Sequence, residues 1–311
     1  MDWTSLVESY LTHKRRLGYS LVSEGHHLHN FALYAQQQKE KALTVTLALQ
    51  WANRAPSGSD IAIARRFSLL RPFSCYLCNI GIDSAVLPTH FVGPTHRRLP
   101  PYIFSELEIV QLMEATNQLY PVSGLRPMTM KVFIGLLAST GLRPGESVRL
   151  MKQDIDLNRG KITIHNSKGW KQRVIPLSLS TIDALNVYTK RRDCIDPLYP
   201  TDAFFKLDYQ RSFTIRSADY AFGLLRKSIG LSIKLNGRYP RLYDLRHTFV
   251  CRRILSWYQA GVDVDSRIAQ LSYYLGHKNV SDTYWYMTAI PELMTYAEKR
   301  FSEYVFTEGS Q

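Results

Sequence analysis

At 311 residues, 45% of them hydrophobic, the chain is too long for one ordinary core and suits two domains. No run approaches the ~18 consecutive apolar residues of a membrane span, and the opening MDWTSLVESYL lacks the basic-then-apolar pattern of a signal peptide, so a soluble, cytoplasmic protein is expected. Lysine and arginine outnumber aspartate and glutamate by 39 to 26, a net charge of +13 that favours a polyanionic partner such as nucleic acid, and four scattered cysteines exclude a disulfide scaffold.

Residues 1–87 read as four helices. Trp3, Leu6, Val7, Tyr10 and Leu17 fall on one face of the first, and similar spacing recurs over 21–38, 44–53 and 59–80, with Gly18 and Gly81 where C-terminal caps belong. His26, His27 and His29 are expected to lack acidic or cysteine partners, and read as surface or DNA-facing residues rather than a metal site. Cys75 and Cys78 form a CxxC, but no second pair lies near them and their stretch is apolar, so they read as packing. Pro88, Pro94, Pro100 and Pro101 forbid a helix over 88–101, the expected linker, which carries Arg97 and Arg98.

The second domain is expected over 102–311. It opens at Ser105-Glu-Leu-Glu108, a capping box ahead of an apolar helix. A helix over 127–139 ends at Gly141, and Pro144 restarts one, which leaves Arg143 at a sharp junction. Short β-runs at 154–157, 161–165 and 173–177, separated by turns at Asn158-Arg-Gly160 and Asn166-Ser-Lys168-Gly169, predict a three-stranded antiparallel sheet. The rest reads as helical, near 180–192, 217–229, 244–260, 265–275, 281–288 and 291–305. The fold class is therefore mainly α, a helical domain followed by a mostly helical one with a small sheet.

Four points of the second domain offer cations without a carboxylate or His/Cys cluster that would suggest a metal, and no cofactor is expected. They are Thr140-Gly-Leu-Arg143-Pro-Gly-Glu146, Lys168 at a hairpin tip, Tyr243-Asp-Leu-Arg246-His247-Thr248, and Leu275-Gly276-His277 followed by Tyr286. Such a set suits phosphodiester chemistry, in which positive charge must meet charge developing on the phosphate oxygens. Singly, each has a plain alternative: Arg143 pairing with Glu146 on the surface, a basic hairpin, a packing tyrosine at a helix start.

Together and in this order, Thr140-Gly-Leu-Arg143, Leu245-Arg246-His247-Thr248 and Leu275-Gly276-His277 with Tyr286 resemble the tyrosine recombinase, or phage integrase, family. Thr283-Tyr-Trp-Tyr286-Met-Thr-Ala-Ile-Pro-Glu-Leu looks like the branch carried by transposons and integrative elements. The resemblance implies a site-specific recombinase with a SAM-like, core-binding first domain and a catalytic second one, closing around double-stranded DNA at the nucleoid. Arg143 and Arg246 would clamp the phosphate, Lys168 would protonate the leaving oxygen, His277 would assist and Tyr286 would attack. The spacing from His277 favours Tyr286 over Tyr284, which lies about 200° away around a helix. Arg65, Arg66, Arg97, Arg98, Lys171 and Arg173 are candidate DNA contacts. Helix 291–305 would mediate assembly into a dimer or tetramer, with other recombinases of the same element as further partners. The family usually carries histidine where this chain has Tyr243, whose phenol is a poor base at neutral pH. That leaves a DNA-binding accessory subunit that does not cut as the alternative, and a relative that only nicks and relaxes DNA as a second one.

Overall fold

The computed structural model describes residues 1–95, 99–165, 172–195, 202–208, 212–232, 234 and 237–287. Arg97, Arg98, Lys168, Lys171 and the expected helix 291–305 lie outside the described residues. The chain divides into two compact units, Met1–Leu99 and Pro100–Gln311.

The first unit holds α1 (Trp3–Arg16), α2 (Val22–Gln37), α3 (Val45–Asn53) and α4 (Asp60–Asn79). Asp2, Thr44 and Ser59 cap three of them by accepting from backbone N–H groups of the first turn. Their buried faces meet in an aromatic core in which Phe31 lies edge-on to Trp3, Trp51 and Phe73. Burying one such side chain contributes about 1.5–3 kcal/mol. Leu17 departs from the expected face and is 60% exposed, because the helix ends at Arg16 and the chain turns away at Gly18; Leu11 fills the stripe instead. His29 also departs from expectation. It has an acidic partner, with Nε2 2.7 Å from Glu8 Oε1 and Nδ1 2.6 Å from the Gly25 carbonyl, and these bonds raise its pKa. The start of the expected linker packs on this unit. Phe91 stacks on Phe67, and Arg65 Nε donates to the Thr95 carbonyl at 2.6 Å.

In the second unit, α5 (Glu106–Ala115) starts at the expected capping box, followed by α6 (Arg126–Thr140) and the single turn α7 (Pro144–Ser147). The strands β1 (Ile155–Asp156), β2 (Lys161–Ile164) and β3 (Arg173–Pro176) form an antiparallel sheet in chain order. Ile162 faces Ile175 and Ile164 faces Arg173. Because side chains alternate along a strand, this register turns Ile162, Ile164, Ile175 and Arg173 to the buried face. Then come α8 (Leu179–Ile195), α9 (Ile215–Ser228), α10 (Leu242–Gln259), α11 (Val264–Leu275) and α12 (Ser281–Tyr284). The last is shorter than the helix expected over 281–288. The main core surrounds α6, whose Met130, Phe133, Ile134 and Leu137 are fully buried. A second cluster joins α10 and α11 through Val250, Ile254, Ile268 and Leu275, and Tyr286 is part of it.

Candidate active site

Three helix ends converge in the second unit. The α6 helix ends at Gly141 (φ +64°) and α11 at Gly276 (φ +66°), both left-handed caps that leave carbonyl groups unpaired within their helices. The start of α10 meets them and delivers Arg246, which is 1% exposed. Its Nη1 donates to the Gly141 carbonyl and its Nη2 to the Leu275 carbonyl, each at 2.8 Å. Arg143, at the turn before α7, donates from Nη2 to the Gly276 carbonyl at 3.1 Å. The two helix C-termini thus hold the two guanidinium groups crosswise, where the negative end of each helix dipole favours a cation.

A carboxylate fixes the other side. Glu146 accepts from Arg143 Nη1 at 2.9 Å, from the Arg143 backbone N–H at 3.2 Å and from Arg173 Nη2 at 2.7 Å. Burial would raise its pKa, but Arg173 and Arg143 outweigh burial and hold it below the usual carboxylate range. This pair is therefore not the surface contact that the sequence alone allows. Arg173, expected to contact DNA, is 6% exposed and lies against Gly276, so it belongs to the buried framework. Arg66 likewise stacks on the Trp51 ring at 4.1 Å and donates to Arg54 and Asn30, while Arg65 is exposed.

His277 follows the Gly276 cap. Its Nε2 lies 2.9 Å from Arg246 Nη2 and its Nδ1 2.7 Å from Thr283 Oγ1. A guanidinium can only donate, so Nε2 accepts and Nδ1 carries the proton that Thr283 receives. Burial, then Arg246 and Arg143, lower the His277 pKa to about 4, and the ring is neutral at physiological pH.

Tyr286 lies parallel to the His277 ring, with centroids 6.0 Å apart and 6° between planes, and is 3% exposed. Its hydroxyl lies near the Arg246 guanidinium. Burial raises its pKa, with Arg246 opposing. Tyr284 is 42% exposed and its hydroxyl donates to Asp265, so the two tyrosines do point apart. Tyr243 sits one turn before Arg246, half-buried and near Arg143. The structure thus gathers Arg143, Tyr243, Arg246, His277 and Tyr286 in one place. Arg246 Nε and Arg173 Nε and Nη1 are buried without a hydrogen-bond partner among the described residues.

Three residues of this centre were absent from the expected site. Glu146 and His247 stand inside the motifs read from the sequence, and Arg173 was expected to contact DNA. His247 is 7% exposed and its ring packs against Tyr243, Trp285 and Tyr286 at 5.1, 5.4 and 5.1 Å between centroids. Among the described residues no cluster could hold a metal ion, and no helix is long and apolar enough to cross a membrane.

Comparison with known proteins gives the family and the fold. The chain is 33% identical over 295 residues, 94% of each chain, to the Sinorhizobium fredii protein named "Putative integrase/recombinase y4rE". It is 28% identical to tyrosine recombinase XerC of Chlamydia caviae, over 79% of this chain and 72% of that one. Among solved structures, the fold matches the Tn1549 transposon integrase in complex with transposon right end DNA (TM-score 0.67, 17% identity, 96% and 99% of the two chains). It also matches a lambda integrase dimer bound to a core site (TM-score 0.65, 15% identity, 94% and 97%). Residues 103–292 match the model of the phage integrase family. With a buried tyrosine against an arginine pair in the matched region, the chain belongs to the phage integrase family of tyrosine recombinases.

Proposed function

We propose that this site-specific recombinase cuts and rejoins double-stranded DNA through Tyr286. The observation that carries the assignment is the hydroxyl of Tyr286 against the Arg246 guanidinium, beside Arg143, His277 and unpaired buried donors. Tyr286 Oη attacks the scissile phosphorus, forming a 3′-phosphotyrosyl bond as the P–O5′ bond breaks. Arg143 and Arg246 balance charge on the non-bridging oxygens, Lys168 supplies the proton to O5′, and a 5′-hydroxyl of the partner duplex reverses the step. One phosphoester replaces another, so bond energy is conserved.

The first unit serves as the core-binding domain, and the excess of 13 positive charges supplies phosphate contacts along the duplex. Arg65, Arg97, Arg98 and Lys171 are among these contacts. Segment 291–305 mediates self-assembly on DNA.

Incubation with a nicked target duplex should give an SDS-resistant adduct that Tyr286→Phe abolishes and Tyr284→Phe retains. DNA affinity should change little, since one hydroxyl adds little beside many phosphate contacts. Persistence of the adduct in Tyr286→Phe would overturn the assignment. Absence of any adduct from the parental protein, with binding intact, would favour an accessory subunit, the reading that Tyr243 raises.

A further inference from the structure

Tyr286 must lose a proton to become a nucleophile, and burial makes that harder. The groups around it are mostly engaged. His277 accepts from Arg246 and donates to Thr283; Glu146 is held by Arg143 and Arg173. Asp244, fully buried, is held by Arg241, Arg238 and the backbone N–H at the start of α10. Tyr243 is a phenol within reach of Arg143. His247 differs from all of these. Its ring touches the rings of Tyr243 and Tyr286, and its Nδ1 is buried with no hydrogen-bond partner among the described residues. Leaving such an atom unpaired costs free energy, so its retention in a site calls for a use.

We propose that His247 accepts the proton of Tyr286. This rests on Tyr286 being the nucleophile. The proton passes from Tyr286 Oη to the His247 imidazole as the Oη–P bond forms and the P–O5′ bond breaks, while the Lys168 ammonium protonates O5′. Rejoining returns both protons.

The charged groups around the imidazole explain when it acts. Burial, then Arg241, Arg246, Arg238 and His277, lower its pKa to about 3 in the free protein. Asp244 on the same helix pairs with Arg241 and Arg238, and Tyr286 is faced in addition by Arg143 and Tyr243. A phosphodiester bound to Arg246 and Arg143 offsets part of that positive potential, so the imidazole becomes a competent base once the substrate phosphate is in place.

Single-turnover cleavage of a nicked duplex, measured from about pH 6 to about pH 9, tests the assignment. The parental rate should level off above about pH 7, where the imidazole is neutral in the complex. His247→Phe and His247→Asn should cleave roughly a hundredfold or more slowly at neutral pH, the usual scale of general-base catalysis. Their rates should climb about tenfold per pH unit, because Tyr286 must then ionise unaided. Parental rates in the variants, or slower rates with an unchanged profile, would overturn the proposal and leave His247 a packing residue. Should neither variant fold, the parental profile decides, since a rate climbing about tenfold per unit throughout means that no base is used. A parental protein that forms no adduct at Tyr286 would instead refute the nucleophile assignment itself.

Discussion

At the scale of single residues, Tyr243 is the departure from the family pattern, and the structure supplies it with a partner. Its phenol lies near Arg143 and its ring packs on His247. The hydroxyl can accept from the guanidinium while donating to a phosphate, which phenylalanine cannot do. Tyr243→Phe is therefore expected to cost about 1.5–3 kcal/mol, one hydrogen bond to a charged group, or on the order of ten- to a hundredfold in cleavage rate. Tyr243→His should preserve or raise the rate, since imidazole both donates and accepts near neutral pH. Single-turnover cleavage by the two variants separates this role from packing. If the ring only fills space, the Phe variant keeps the parental rate and the His variant, which loses apolar area, is the damaged one.

At the scale of elements, the centre is built from the ends of helices. Gly141 and Gly276 were legible in the sequence as helix stops, and Pro144 as a restart, because caps are written in local residue chemistry. That the freed carbonyl groups would hold arginines was not legible, since Gly141 and Arg246 stand 105 positions apart and Gly276 and Arg143 stand 133 apart. The same limit explains Arg173, which reads as one more basic residue of a hairpin until the register with Ile164 turns it inward. It also explains His29, whose acidic partner Glu8 lies on another helix. Helices and strands, by contrast, were recovered from periodicity within a few residues at most ends. An alanine at position 141 tests the cap. It would be forced into the left-handed region, at roughly 1–2 kcal/mol, and its Cβ would run into the Phe249 ring. The carbonyl that holds Arg246 would move with it. Gly141→Ala should lower the melting temperature and slow cleavage further than the lost stability explains, when both are measured at a temperature where the variant remains folded. A parental rate under those conditions would show that the cap does not position Arg246.

At the scale of the whole molecule, a chain of net charge +13 holds two neutral imidazoles, one buried and one half-buried, among arginines, and this couples its stability to pH. His277 and His247 have folded pKa values of about 4 and about 3, below the ordinary histidine value, so between those values and about 6.5 the unfolded chain binds protons that the folded one excludes. Their contribution is complete above the unfolded value and is lost as pH falls through the interval. Each histidine costs about 2 kcal/mol between about pH 7.5 and about pH 5. Glu146 acts in the same sense at lower pH, because its folded pKa is depressed. Asp244, raised by burial, acts in the opposite sense, and so does His29, raised by Glu8, though its exposure to solvent discounts it. Protonation also adds charge to a chain already strongly positive, which favours expansion. The melting temperature should therefore fall steadily from about pH 7.5 to about pH 5. His247→Phe removes one of the two depressed histidines while keeping a ring against Tyr243, Trp285 and Tyr286, and its melting temperature should fall less over the same interval. A variant whose stability tracks pH as steeply as the parental protein would mean that the His247 imidazole is not held neutral in the folded state.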